Sequence, residues 1–101
     1  MSDTELPENS QIIRTQVEII NAKGLHARAS AKFVKVASSF EATQIVVIKD
    51  DNRVDAQSIM GLLMLAAAKG SHIEIEAEGE QAREAVDALV ALIDDRFGEG
   101  E

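Results

Sequence analysis

Hydrophobic and polar residues alternate along positions 12–20, where Ile13, Thr15, Val17 and Ile19 share one face, and this spacing predicts a strand. Asn21, Lys23 and Gly24 then supply turn residues. From position 27 to about 39 the rhythm becomes helical, with Ser30, Phe33, Val34, Ala37 and Phe40 on one side and Lys32 and Lys35 on others. Residues 43–49 are rich in β-branched side chains, Asp50, Asp51 and Asn52 form a turn cluster, and 53–56 can return as a strand. That stretch reads as a hairpin. Ser58 is placed to cap a short helix that should end at Lys69 and Gly70, with a cation in its last turn. Positions 71–78 alternate again: Ile73, Ile75 and Ala77 face one way, and His72, Glu74, Glu76 and Glu78 the other. A final amphipathic helix is expected over 80–97, carried by Ala82, Ala85, Val86, Leu89, Ile93 and Phe97.

The resulting order, βαββαβα with half-polar strand faces, predicts an α+β fold. An antiparallel or mixed sheet would be covered by helices on one side, giving a two-layer sandwich. Residues 1–11 are polar, contain the only proline and show no periodicity, so a flexible tail is expected ahead of a single domain spanning 12–101. No internal repeat is present. Aromatic residues make up only 3% of the chain, which leaves the core to Ile, Val, Leu, Met and Ala.

Charge and composition exclude several classes of function. A net charge of -8 argues against general affinity for nucleic acid or anionic lipid, since both depend on summed positive charge. The absence of cysteine removes disulfides, thiolate nucleophiles and cysteine-ligated metals. The first residues lack both a basic start and an apolar stretch, so neither a signal peptide nor an anchor is expected, and the location should be cytoplasmic. The longest run without a polar side chain, the ten residues 59–68, is too short to span a bilayer.

Residues 23–35 run against the acidic background, with Lys23, Arg28, Lys32 and Lys35 and no acid. Within them, His26 falls between a glycine turn and a helix start. Free backbone N–H groups there, those of Ala27 and Arg28, would face an anion held on the imidazole. The Arg28 guanidinium suits phosphate oxygens. Imidazole titrates near neutral pH and has a neutral fraction available as a nucleophile. Phosphoryl transfer asks mainly for positioning and charge stabilisation, so carrying such a group is more credible than hydrolysing it. Local chemistry alone balances this against a plain surface histidine beside a solvated arginine.

The segment 24–28, Gly-Leu-His-Ala-Arg, followed by Phe33 and Val34, resembles the active-site motif of the HPr family of the bacterial phosphoenolpyruvate-dependent phosphotransferase system. Residues 58–65, Ser-Ile-Met-Gly-Leu-Leu-Met-Leu, resemble the family's second motif, and the likeness extends from about 13 to 97. The resemblance implies an open-faced sandwich with a four-stranded antiparallel sheet and three helices. It implies phosphorylation of His26 on Nδ1 by enzyme I and onward transfer to enzyme IIA-type proteins. The chain would be a covalent intermediate rather than an enzyme, a monomer without cofactor or metal. The matching serine in some members is phosphorylated by a dedicated HPr serine kinase/phosphorylase, which the resemblance allows at Ser58. One departure is Ala29, where the family commonly has proline; the loss should loosen the helix start slightly without removing phosphate donors.

In a two-layer domain only one face of the helix after Ser58 can be buried. Ile59, Met60, Leu63 and Met64 are therefore expected in part at the surface beside His26, as a partner-docking patch. A wholly buried helix or a homodimer contact would use the same residues. His72 is read as a solvated residue, and Asp94, Asp95, Glu99 and Glu101 as a solubilising end. Two rival readings use the same fold: a regulatory module that docks on partner enzymes, and a small hydrolase using His26 as acid–base. The second lacks a completing catalytic set.

Overall fold

The computed structural model describes residues 11–100. Of the tail expected over 1–11, residues 1–10 lie outside them, and Gln11 belongs instead to the first strand. In chain order the elements are β1 (Gln11–Glu18), α1 (Ala27–Ser38), β2 (Thr43–Lys49), β3 (Asn52–Asp55), α2 (Ile59–Met64), β4 (His72–Gly79) and α3 (Ala82–Asp94), followed by a 3-10 turn at Arg96–Gly98. The strands form one sheet in the order β1-β4-β2-β3, every neighbouring pair antiparallel.

Register follows from the alternation. Val17 faces Ile73, and Thr15 faces Ile75, which faces Val47 on its other side, so one row of apolar side chains runs across the sheet. The helices cover this side. Phe33 of α1, Leu62 of α2, and Val86, Leu89 and Ile93 of α3 meet Ile19, Val47, Ile73 and Ile75 in a core with almost no exposure. The opposite sheet face is open and polar. There Glu76 takes hydrogen bonds from Arg14 Nε and Arg53 Nη2, each at 3.1 Å. Arg53 first, and Arg14 after it, hold the Glu76 carboxyl below its ordinary pKa.

Two helix ends differ from the spacing-based expectation. The helix expected to reach Lys69 stops at Met64, and Ala66 takes a left-handed φ of 52°. Alanine favours helix, but the following backbone is recruited elsewhere: Ala67 O accepts from Leu25 N at 2.9 Å, and Gly70 N donates to Ile19 O at 2.7 Å. Long-range backbone pairing overrides local propensity. The last helix ends at Asp94 rather than at 97, because Arg96 and Phe97 turn left-handed, at φ 53° and 54°.

Candidate functional site

The loop from β1 to α1 is built around two residues. Asn21 is fully buried; its Nδ2 donates to Gly24 O at 2.9 Å, and its own carbonyl accepts from Gly24 N at 3.1 Å. Gly24 has φ +64°, and a Cβ there would lie 2.4 Å from Ala67 O. Only glycine gives both the turn and the close approach of the segment that follows α2.

His26 is the N-cap residue of α1, with φ -75° and ψ -177°, and its side chain caps nothing. The first intrahelical bond is Ser30 N to His26 O at 2.8 Å. The N–H groups of Ala27, Arg28 and Ala29 therefore go unused within the helix, at its positive end. The imidazole is about one quarter exposed, its side-chain relative accessibility being 26%. Lys23, His26, Arg28, Lys32, Gly98 and Glu99 line a cleft of about 270 Å³. Two larger surface hollows, of about 490 and 520 Å³, have mainly acidic and uncharged walls and offer an anion no comparable seat.

Glu99 is the site residue that sequence reasoning missed. Its Oε2 lies 2.5 Å from His26 Nε2, and its Oε1 accepts from Asn21 Nδ2 at 3.0 Å. A carboxylate only accepts, so Nε2 is the protonated ring nitrogen in this contact. Among the described residues Nδ1 has no hydrogen-bond partner. The His26 hydrogen bond is the main influence holding the Glu99 carboxyl below its ordinary pKa; burial opposes it, and Asn21 and the charge of Lys23 add to it. The chain returns here through the left-handed turn at Arg96, Phe97 and Gly98, with Phe97 buried and its carbonyl held by Lys32 Nζ at 2.6 Å. Left-handed non-glycine residues cost on the order of 1 kcal/mol each and persist only where surroundings enforce them. The expectation of a purely solubilising acidic end is thus corrected for Glu99. Asp94 and Asp95 are exposed, and Glu101 lies outside the described residues. A buried Phe97 followed by glycine was the only local hint of a returning chain.

Ser58, the exposed residues of α2 and His72 do not line this cleft. Ser58 caps α2, its Oγ accepting from Gly61 N at 2.9 Å. α2 packs on α1 and buries Leu62, whereas Ile59, Met60 and Met64 are 40%, 69% and 77% exposed and Leu63 is half-buried. The expected patch is therefore carried mainly by Ile59, Met60 and Met64. His72 is exposed at the start of β4. Ala29, in the first turn of α1, is fully buried. Among the described residues no helix is long and apolar enough to cross a membrane.

A half-buried imidazole at an uncapped helix start, ringed by cations on an open-faced sandwich, can be set beside known proteins. The family model described as the PTS HPr component phosphorylation site matches residues 13–95. The phosphocarrier protein HPr of Neisseria meningitidis is 53% identical over 90 residues, which is 89% of this chain and all of the relative. The phosphocarrier protein NPr of Escherichia coli K12 is 38% identical over 87 residues, 86% of this chain and 97% of the relative. The crystal structure of HPr from Thermoanaerobacter tengcongensis superposes with a TM-score of 0.82 at 46% identity, covering 86% of this chain and 97% of that one. Fold and site together thus define a small phosphocarrier of the phosphotransferase system. More narrowly, the chain belongs to the HPr family.

Proposed function

We propose that this chain carries a phosphoryl group on Nδ1 of His26, received from enzyme I and passed to enzyme IIA-type proteins in the cytoplasm. The observation that carries the reading is the helix start itself. His26 sits where three backbone amides are unspent and where Lys23, Arg28 and Lys32 converge. The amides of Ala27 and Arg28 and the Arg28 guanidinium offer donors to the phosphoryl oxygens, and the helix dipole adds to them. Holding the group needs no activated water, and the neighbouring cations do not supply one. The outward face of α2, with Ile59, Met60 and Met64, is the apolar surface on which successive partners dock. Ser58 is proposed as a second, regulatory phosphorylation site: a dianion there would suit the start of α2 while repelling acidic partner surfaces.

Incubation with enzyme I and phosphoenolpyruvate, followed by assay for acid-labile phosphate, tests the carrier reading. The wild type and Ser58→Ala are expected to take the label, and His26→Ala to take none. The chain has two histidines, so a label that persists in His26→Ala would move the site to His72 and overturn the assignment.

A further inference from the structure

We propose that Glu99 is a positioning residue for this transfer: it holds the Nε2 proton of His26, leaves Nδ1 as the nucleophilic nitrogen, and offsets the ring charge that phosphorylation creates. The proposal rests on His26 being the phosphoryl acceptor. Its geometric basis is a relay of three side chains. Buried Asn21 donates to Glu99 Oε1, and His26 Nε2 donates to Glu99 Oε2. The Asn21 amide is oriented by two acceptors at once, Gly24 O and the carboxylate, so it fixes the carboxylate relative to the loop that carries the histidine. From the other direction, buried Phe97 and the Lys32 bond to its carbonyl anchor the returning chain. A solvated tail would need neither anchor, nor left-handed φ values at Arg96 and Phe97.

The chemistry balances without any further reactant than the phosphoryl donor. The Nδ1 lone pair forms the new N–P bond while the bond from phosphorus to the donor's leaving atom breaks, and that electron pair departs with the donor. No proton leaves the ring, so the phosphorylated imidazole is a cation, and Glu99 stands against the nitrogen that shares its charge. In onward transfer the acceptor's nucleophile bonds to phosphorus, the N–P electron pair returns to Nδ1, and a neutral Nε2–H ring is restored. Were Nε2 to shed its proton in between, the departing nitrogen would leave as an anion, and transfer would slow. A carboxylate on Nε2–H delays that loss. The depressed pKa of Glu99 agrees with a carboxylate that stays ionised in this role.

The test compares Glu99→Gln and Glu99→Ala with Asp94→Asn, which removes one negative charge from an exposed position at the end of α3. All three should still acquire acid-labile phosphate at His26. Phosphorylation of His26 by enzyme I at neutral pH, the step in which the ring acquires its charge, should slow about tenfold in Glu99→Ala, the scale of one charge-assisted hydrogen bond strengthened in that step. The slowing should be smaller in Glu99→Gln, whose amide carbonyl still accepts from Nε2–H, and absent in Asp94→Asn. As pH rises, transfer in both Glu99 variants should decline at a lower pH than in the wild type. An NMR titration supplies the reciprocal check: the Glu99 carboxyl should titrate at higher pH in His26→Ala than in the wild type. A merely structural tail would leave the pH–rate profile in place. Superimposable profiles, phosphorylation as fast in Glu99→Ala as in the wild type, or a Glu99 titration indifferent to His26 would overturn the proposal. A wild type that acquires no phosphate would instead sink the carrier reading, and this one with it.

Discussion

The two helices that pack side by side, α1 and α2, begin in opposite ways. At α2 the side chain of Ser58 folds back to accept from Gly61 N, and its carbonyl accepts from Leu62 N, so the start is closed on itself. A helix of six residues has little cooperativity of its own and depends on such a cap. At α1, twice that length, the N-cap residue is a histidine whose ring turns away to Glu99 and satisfies none of its own helix's amides. A serine or aspartate at position 26 would stabilise the helix by roughly 1 kcal/mol. The longer helix tolerates its absence and leaves its first amides without an intrahelical partner. The flanks differ in the same sense: α1 presents cations beside its start, and α2 presents Met60 and Met64 to solvent. The proposed chemistry and the proposed docking thus fall on neighbouring helices.

That division can be broken experimentally, and the sharpest attempt pairs Arg28→Ala with Met64→Asp. If α1 supplies charge stabilisation and α2 supplies contact, Arg28→Ala should lower the maximal transfer rate by tenfold or more, roughly the cost of one lost donor to a transferring oxyanion. Met64→Asp should instead raise the apparent KM of enzyme I for the carrier by about tenfold and leave the maximal rate nearly unchanged, since it removes exposed apolar area from a contact. Steady-state phosphorylation by a catalytic amount of enzyme I, with the carrier varied at saturating phosphoenolpyruvate, separates the two. An unchanged KM in Met64→Asp would remove α2 from the docking surface, and a lowered maximal rate would mix the two roles.

A smaller effect distinguishes the two caps. Ser58→Ala should cost about 1 kcal/mol in urea unfolding, because Gly61 N loses its acceptor in a half-buried place. His26→Ala deletes no cap and should shift stability by less than half of that at neutral pH. The contribution of the Glu99 contact has a definite sign with pH. Because the folded-state pKa of Glu99 is depressed, its stabilisation is present above the ordinary glutamate value of about 4.5 and is lost as pH falls through the folded pKa. The gap between His26→Ala and wild type should therefore narrow below that pH. A His26→Ala loss equal to that of Ser58→Ala would mean that α1 is capped by its histidine after all.

Much of this arrangement was legible in the chain because its determinants are local. The β-branched run at Thr43–Lys49, the alternation that sets β4, and Ser58 three residues ahead of Gly61 each declare themselves within a few positions. His26 stood out by its place between Gly24 and a helical rhythm. What escaped was set at long range. α2 stops at Met64 because Ala67 serves Leu25, a contact that alanine-rich spacing does not announce. Glu99 reaches His26 across 73 residues, through a left-handed turn whose only signature is a glycine after a buried phenylalanine. Among acids near a chain end, nothing in periodicity marks the one that returns.

The finest way to probe the open start of α1 is to stiffen it without capping it. Ala29 lies in the first turn, at 0% exposure, where its N–H is one of the three amides unused within the helix. Proline there removes a donor the helix does not need and presets φ, which lowers the entropy of the unfolded chain. Against this stand the bulk of the pyrrolidine ring in a closed space and the restriction it places on Arg28. If the space around Ala29 accepts the ring, Ala29→Pro should raise stability by about 0.5 kcal/mol in urea unfolding and leave transfer within twofold of wild type. A drop of 1 kcal/mol or more would show that the turn is packed too tightly for the ring. A large loss of transfer at preserved stability would show that the Ala29 amide, and not only those of Ala27 and Arg28, faces the phosphoryl group.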